Sequence, residues 1–337
     1  MTNHDYILSI NDLKTQFQVG KRIVKAVDGV TLNIRRGKTL GLVGESGCGK
    51  SVTAHSIMQL LPKAASITNG EIIFRPKDAP EFDILHYKKT HKKIRELRGK
   101  QISMIFQDPM SSLNPVYRVG DQIIENIRQH EKITYKDAME RAIKMLKMLS
   151  IPMAEQRVKD YPHQFSGGMK QRVMIAMGLI TNPELLIADE PTTALDVTIQ
   201  AQILELMKHM QDQLGFTIVI ITHNMGIVAD MADDIAVMYM GKVVEFGTKE
   251  DIFLRPTHPY TKALLKSVPV LGNGGNDRLE PIRGNTPDPS EMPEGCAFEP
   301  RCDIAGSHCS KESPEYIDVG NGHMVRCGHC KEGCNHE

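Results

Sequence analysis

A glycine-rich loop between an apolar strand and a helix constrains this fold more than any other feature of the sequence. Residues 39–43 (TLGLV) form a short apolar run, and residues 44–51 (GESGCGKS) follow with the spacing G-x-x-x-x-G-K-[ST]. Residues 52–61 have the pattern of a helix. In such a loop the backbone N–H groups surround phosphates, Lys50 would reach the β- and γ-phosphates, and the Ser51 hydroxyl would bind Mg²⁺. The alternative, a simple glycine-rich turn, is disfavoured by the strand–loop–helix context.

Two more apolar runs end on polar residues that are capable of chemistry. Residues 185–188 lead into Asp189, and residues 216–221 lead into Thr222 and His223. Near-continuous apolar strands of this kind are typical of a parallel sheet buried on both faces, with its site at the carboxyl ends of the strands. The sequence therefore predicts an α/β fold.

The polar residues at these strand ends suit distinct roles. Asp189 is placed to orient Mg²⁺, and the adjacent Glu190 could act as general base on an attacking water. Gln107, after the apolar residues 102–106, could sense Mg²⁺ and the γ-phosphate, and His223 could donate a hydrogen bond to that phosphate. Taken singly, each has a plainer interpretation as a surface acidic pair, a polar strand end or a structural histidine.

The rest of the chain divides by pattern. Residues 5–35 alternate in polarity and predict an antiparallel β region, whereas residues 118–180 are mostly helical in pattern. Residues 235–244 predict a hairpin about Gly241, and after Pro256 the composition shifts to a linker, notably residues 271–277. We place a nucleotide-binding domain at residues 1–255, with a helical subdomain at about 108–180, and a C-terminal extension at 256–337.

Charge and hydropathy exclude some classes of function. The chain has 337 residues, with 41 Lys plus Arg and 41 Asp plus Glu, so the formal net charge is zero. This balance argues against bulk binding to nucleic acid, and we interpret the basic run at residues 88–100 as a solvated helix face. No apolar run is long enough to cross a bilayer, and residues 1–12 lack the pattern of a signal peptide, so we expect a soluble, cytosolic chain.

A second candidate phosphate site lies between the loop and the acidic strand end. Residues 165–172 (FSGGMKQR) place a serine and two glycines where a helix could begin. Serine is a favoured helix cap, glycine allows close approach to the backbone, and a helix N-terminus of this kind binds phosphate. Few ATPases carry such a helix in addition to a phosphate loop.

Taken together these motifs resemble the ABC-type ATPases. The loop, Gln107, residues 165–172, Asp189–Glu190, residues 193–196 (TALD) and His223 occur in that family's order and spacing, over about residues 5–250. The resemblance implies a RecA-like P-loop core with an antiparallel β subdomain and a helical subdomain that carries the signature motif. It also implies an ATP site formed by Phe17, Gly44, Ser46, Gly47, Cys48, Gly49, Lys50, Ser51 and Val52, with Mg²⁺ held by Ser51, Gln107 and Asp189.

The same resemblance implies a partner subunit. ABC ATPases work as head-to-tail pairs, so Ser166 and Gly168 of one subunit would close over ATP bound by the other, with Asp196 in the loop that links the two sites. Phe17 is the candidate that stacks on adenine, although a core role is nearly as well supported. The fifth signature residue is Met169, where the broad family most often has Gln, and we interpret it as a marker of the peptide-transporter branch.

A narrower resemblance covers nearly the whole chain. Residues 106–115 (FQDPMSSLNP), 258–269 (HPYTKALLKSVP) and 293–302 (PEGCAFEPRC) are similar to the oligopeptide/dipeptide importer ATPases. This implies an ATP-hydrolysing subunit peripheral to the cytoplasmic face of the membrane. Its partners would be a second ATPase, either a paralogue or another copy, two membrane permeases and, indirectly, an external solute-binding protein. An importer of nickel or other small solutes and a non-transport ABC ATPase stay open as alternatives.

Cysteines cluster at the end of the chain. Six of the seven follow residue 295, with the spacing Cys296-x5-Cys302-x6-Cys309-x17-Cys327-x2-Cys330-x3-Cys334. Four thiolates can hold a [4Fe–4S] cluster or Zn²⁺, and the spacing matches no short zinc ribbon. The peptide-importer resemblance implies a cluster held by Cys296, Cys302, Cys309 and Cys327. Zinc and unligated thiols are the alternatives, and His323 and His329 are weaker candidate ligands.

Overall fold

The computed structural model describes residues 5–108, 112–193, 195–267, 282–290 and 292–332. Some predicted features fall partly or wholly outside these ranges: residues 109–111, Ala194, residues 268–269, the linker at 271–277 and Cys334. The chain forms two compact units interleaved in sequence. The first comprises Met1–Ile7, Arg35–Lys38 and Phe74–Ile221, and the second comprises Leu8–Ile34, Thr39–Ile73 and Thr222–Glu337. The domain boundaries proposed from the sequence stay predictions.

The described residues form both strands and α-helices. In the described residues the strands are β1 (Tyr6–Val19), β2 (Arg22–Arg35), β3 (Thr39–Val43), β4 (Ala65–Phe74), β5 (Phe82–Asp83), β6 (Ile102–Ile105), β7 (Leu185–Asp189), β8 (Thr217–Thr222), β9 (Asp234–Tyr239), β10 (Lys242–Thr248), β11 (Ile317–Asp318) and β12 (Met324–Val325). The helices are α1 (Lys50–Ile57), α2 (Lys92–Lys100), α3 (Val119–His130), α4 (Tyr135–Met148), α5 (Ala154–Arg157), α6 (Gly167–Leu179), α7 (Val197–Leu214), α8 (Met225–Met231), α9 (Lys249–Leu254) and α10 (Pro259–Lys266).

The first unit holds a parallel sheet and a group of helices. Strand β7 pairs in parallel with β6, through Ile102 opposite Leu185, and with β8, through Leu185 opposite Thr217. Every residue of β7 and β8 is buried, which explains their continuous apolar sequence. Helices α3 to α6 confirm the helical pattern predicted for residues 118–180.

The second unit contains a mixed sheet. Strand β3 pairs in parallel with β9, whereas β9 pairs antiparallel with β10, and β10 with β12. The hairpin predicted about Gly241 is confirmed, because the turn between β9 and β10 has positive φ at Met240 (46°) and Gly241 (78°). The sequence had predicted only parallel pairing for the main sheet. Strands β11 and β12, which extend this sheet antiparallel beyond the hairpin, are an addition that its pattern did not indicate.

The extension begins with a helix that the sequence did not predict. A linker was expected after Pro256, but His258 caps helix α10, whose first residue is Pro259 and whose Tyr260 and Leu264 are buried. A proline at the first helical position and apolar residues four apart explain this helix locally. The sequence signal was therefore present and was masked by the composition of the residues that follow.

One buried carboxylate joins the extension to the sheet. Glu245 of β10 is fully buried and accepts hydrogen bonds from the backbone N–H groups of Thr257 (2.7 Å) and His258 (3.0 Å) and from His323 Nε2 (2.8 Å). Burial lowers the pKa of His258 to about 4, so this imidazole is neutral. Across the described part of the chain, no helix is both long and apolar enough to cross a membrane.

Candidate functional site

The phosphate loop owes its shape to glycines. It follows β3, every residue of which is buried, and it leads into α1. Gly44, Gly47 and Gly49 have φ angles of 150°, 78° and 106°. A Cβ atom on Gly44 would lie 2.1 Å from the Met238 carbonyl oxygen, and one on Gly49 would lie 2.3 Å from that of Ala26. Only glycine can occupy these two positions, because both the backbone angle and the space exclude a side chain.

Lys50 is turned back onto this loop. Its Nζ donates to the carbonyl oxygens of Gly44 (2.8 Å) and Glu45 (2.9 Å) and lies 3.7 Å from Cys48 Sγ. Lys50 and Cys48 are buried, and burial raises the pKa of the Cys48 thiol. Ser46 and Gly47 at the tip are exposed, and Ser51 and Val52 are partly buried at the start of α1. The predicted ATP residues 44–52 therefore form the loop and the start of the helix in one continuous strand–loop–helix segment.

In the first unit, Glu190 is held by two donors. It directly follows the buried Asp189 at the end of β7, and its carboxylate accepts from Gln107 Nε2 (2.8 Å) and Thr193 Oγ1 (2.9 Å). Its backbone N–H donates to the Ile221 carbonyl oxygen (2.9 Å), and its φ of +46° is unusual for a non-glycine residue. Strained backbone angles are frequent at functional sites. Gln107 and Glu190, 83 residues apart in sequence, are thus brought into contact.

The signature segment begins a helix, as predicted. Ser166 caps α6, its side chain accepting from the Met169 N–H at 3.3 Å, and Ser166 and Gly167 are exposed. A Cβ atom on Gly168 would lie 2.8 Å from the Ile199 side chain of α7. Asp196 caps α7 in the same way, accepting from the Ile199 N–H at 3.0 Å. The signature helix therefore presents its N-terminus to solvent.

The remaining predicted ATP residues belong to the second unit. His223 is exposed and directly follows β8, and Asn224 caps the helix α8 that comes next. Phe17 lies in β1 and is partly exposed, as an adenine-stacking residue would need to be. Its role stays a prediction.

The C-terminal cysteines collect in one module of the second unit. The Cys296 N–H donates to the Cys309 carbonyl oxygen at 2.7 Å. Burial raises the pKa of the Cys296 thiol and raises that of Cys302 to about 11. Burial therefore favours the neutral thiols of Cys296 and Cys302, which would have to lose their protons to bind a metal.

Two imidazoles lie beside Cys309. Its Sγ is 3.4 Å from His308 Nε2 and 3.7 Å from His329 Nε2, and the three candidate ligand atoms lie within 4.8 Å of one another. A hydrogen bond with the Cys330 thiol lowers the pKa of Cys327 to about 6. The sequence named His329 as a minor candidate and gave no reason to single out His308.

An open groove follows Gln107 in the first unit. Its volume is about 770 Å³, and it is lined by residues of α3, of the segment before it and of α6, among them Asn114, Tyr117, Asp121 and Met177. Tyr117 and Val116 of this region are exposed apolar side chains.

Three residues that contact the motifs were not assigned a role from the sequence: Thr193, Tyr260 and Arg301. All three lie in segments that the sequence singled out, residues 193–196, 258–269 and 293–302, but their residue types alone did not indicate which groups they contact.

Comparisons with known proteins agree with these motifs. The family described as "ABC transporter" matches residues 27–193, and the family described as "Oligopeptide/dipeptide transporter, C-terminal region" matches residues 244–309. The oligopeptide transport ATP-binding protein AppD of Bacillus subtilis is 48% identical, over 95% of this chain and 96% of its own. The dipeptide transport ATP-binding protein DppD of the same organism is also 48% identical, over 95% and 94%.

Solved structures agree as well. A dimeric ATP-binding cassette in a post-hydrolysis state, bound to ADP and Pi, is similar with a TM-score of 0.62 and 26% identity. The similarity covers 72% of this chain and 98% of that one. An ABC transporter component from Clostridium perfringens is similar with a TM-score of 0.61 and 31% identity, over 74% and 92%.

Proposed function

This chain belongs to the ATP-binding subunits of the oligopeptide/dipeptide ABC transporters, and from that premise we propose that it hydrolyses ATP to drive the import of di- and oligopeptides. The observation that carries the proposal is the similarity, over nearly the full length, to two peptide-transport ATP-binding proteins. It includes the C-terminal region characteristic of that branch. The peptide cargo is carried over from these relatives.

The residues divide the work of in-line attack by water on the γ-phosphate. The loop N–H groups and Lys50 bind the phosphates, and Glu190 accepts the proton of the attacking water. Gln107 and Thr193 orient the Glu190 carboxylate through their hydrogen bonds. Ser51, Gln107 and Asp189 would hold Mg²⁺, which neutralises charge on the β- and γ-oxygens when bound, and His223 donates to the γ-phosphate.

The working unit is a pair of ATPases on a membrane permease. The exposed start of α6 supports a role for Ser166 and Gly168 in closing over ATP bound by a second subunit. Asp196 then lies in the loop that links the two nucleotide sites. The groove after Gln107, with its exposed Tyr117, is the docking surface for the membrane subunits. The chain then sits at the cytoplasmic face of the membrane, and an external binding protein delivers the cargo.

Replacement of Glu190 tests this proposal. Glu190→Gln keeps the size and hydrogen-bonding capacity of the side chain but removes the base, so turnover should fall by about 10²- to 10⁴-fold while ATP still binds. Glu205→Gln, an exposed glutamate on α7, is the matched control and should retain full turnover. Near-normal hydrolysis in Glu190→Gln would remove Glu190 as the base. Uptake of labelled peptides and of nickel is then compared between cells that carry the wild type and cells that carry this variant. The cargo whose uptake falls in the variant is the one that this ATPase drives.

We propose also that residues 296–330 hold a metal group. The resemblance to the peptide importers names Cys296, Cys302, Cys309 and Cys327 as the ligand set for a [4Fe–4S] cluster, and among the described residues one of the four, Cys309, belongs to a group of close candidate ligands. Zinc is favoured by a different observation. Tetrahedral Zn²⁺ with the usual bond lengths separates sulfur and nitrogen ligands by about 3.6 Å, and His308 and His329 lie 3.4 and 3.7 Å from Cys309 Sγ.

Two variants separate these metals. Cys302 belongs only to the cluster set and His329 only to the zinc set. Metal analysis and the visible spectrum of anaerobically purified protein should show iron lost in Cys302→Ser and kept in His329→Ala if a cluster is bound. Stoichiometric zinc without iron, lost in His329→Ala, would refute the cluster assignment.

A further inference from the structure

The C-terminal extension makes an ion pair with the phosphate loop. Arg301, in a short turn at Glu299–Arg301, donates from Nη1 and Nη2 to the two carboxylate oxygens of Glu45, at 2.7 and 3.0 Å. Only 4% of the Arg301 side chain and 26% of the Glu45 side chain are exposed. A bidentate pair of this kind is directional as well as strong, so it fixes where the Glu45 side chain lies.

The backbone of Glu45 is held by the same part of the chain. Its N–H donates to the hydroxyl oxygen of Tyr260, at 2.9 Å, and Tyr260 is fully buried in α10. The Tyr260 ring packs against Tyr239 (4.6 Å between centroids) and Phe298 (5.4 Å). The Tyr239 hydroxyl in turn accepts from Arg301 at 3.3 Å. Two elements of the extension therefore hold Glu45, the second residue of the loop. Helix α10 contacts its main chain, and the turn at Glu299–Arg301 contacts its side chain.

The negative charge of Glu45 makes its pairing with Arg301 important for nucleotide binding. The hydrogen bonds and charge of Arg301, with smaller help from Thr286 and Lys50, hold the pKa of Glu45 below its ordinary value, so the carboxylate is ionised. Without Arg301 that negative charge would be left next to Lys50, whose Nζ donates to the Glu45 carbonyl oxygen at 2.9 Å. It would repel a triphosphate in the loop and compete with it for Lys50.

We propose that Arg301 is a positioning residue for ATP: by neutralising Glu45 and fixing the start of the phosphate loop, it makes ATP affinity depend on the C-terminal extension. The proposal rests on the proposed binding of ATP by this loop. It assigns to the extension a direct effect on nucleotide binding, whatever metal group its cysteines hold.

A set of variants tests the role of the charge. The dissociation constant of Mg·ATP is measured with the purified full-length chain, together with KM and kcat for hydrolysis. Arg301→Ala should weaken binding by at least about tenfold, which corresponds to about 1.4 kcal/mol, and should raise KM more than it lowers kcat. Arg301→Lys keeps a charge but loses the bidentate geometry and should fall in between. Adding Glu45→Gln to Arg301→Ala should restore most of the affinity, because it removes the unpaired charge.

The control is an exposed ion pair in the same module. Arg283 Nη1 lies 3.2 Å from Asp303 Oδ1, with 83% and 74% of these side chains exposed, and Arg283→Ala should leave ATP binding unchanged. Unaltered affinity in folded Arg301→Ala, or failure of the double variant to recover affinity in a chain as stable as the single variant, would overturn the proposal. If Arg301→Ala does not fold, the same comparison between Arg301→Lys alone and Arg301→Lys with Glu45→Gln decides. Wild-type protein that bound no ATP would instead refute the proposed function.

Discussion

The phosphate loop and the C-terminal extension lie in the same unit and are both poor in regular structure, but different forces shape them. In the loop, backbone angles and backbone contacts fix the residue types at Gly44 and Gly49. In the extension, contacts of buried polar side chains fix the residue types. Examples are the hydrogen bond of His323 with Glu245 and the ion pair of Arg301 with Glu45. A segment fixed by its backbone requires a set spacing of glycines, whereas one fixed by side chains can use many spacings.

The largest effect that tests this difference is expected at Gly49. In Gly49→Ala the new Cβ would lie 2.3 Å from a backbone oxygen at a φ of 106°, so we expect a loss of about 3–5 kcal/mol in unfolding free energy, together with loss of ATP binding. Gly20→Ala is the control, since Gly20 has a φ of 61° and open space around its Cβ position, and it should cost about 1 kcal/mol. Urea unfolding measures both values. Equal losses in the two variants would contradict a backbone constraint specific to the loop.

A second prediction concerns the extension and depends on pH. Burial lowers the pKa of His258 from an ordinary 6.5 to about 4. Between these two pH values the imidazole binds a proton in the unfolded chain but not in the folded chain. Stability from this group is present above pH 6.5 and is lost as the pH falls towards 4, by about 3 kcal/mol in all.

His258→Asn isolates this effect. Asparagine can still accept the N–H of Tyr260, which His258 Nδ1 accepts at 3.0 Å, but it does not titrate. Urea unfolding at pH 6.5 and pH 4.5 should therefore show a smaller loss of stability in the variant than in the wild type. Glu245 and His323, which lie nearby, are unchanged in the variant. Parallel pH profiles would show that His258 is not the group responsible.

The same contrast explains what the sequence could predict. The strand–loop–helix of residues 39–57, the parallel strands β7 and β8 and the capped start of α6 were all indicated by residue types at fixed spacings, because local backbone geometry determines them. The contacts of Arg301 with Glu45 and of Gln107 with Glu190 join residues 256 and 83 positions apart. Such contacts depend on how the chain folds back in three dimensions, and no local pattern encodes them.

The signature helix combines both kinds of constraint, and the smallest predicted effect belongs to it. Ser166→Ala removes the cap that accepts the Met169 N–H, and at 3.3 Å this hydrogen bond should be worth about 1 kcal/mol of stability. Ser166→Asp restores a capping oxygen and should recover the stability. It also places a negative charge where we propose that ATP bound by a second subunit approaches. ATP hydrolysis by Ser166→Asp should therefore be lower than hydrolysis by the wild type. Thermal unfolding and ATP turnover of the three proteins separate the two roles. If Ser166→Asp recovered turnover along with stability, Ser166 would be a helix cap alone, and the exposed N-terminus of α6 would need another explanation.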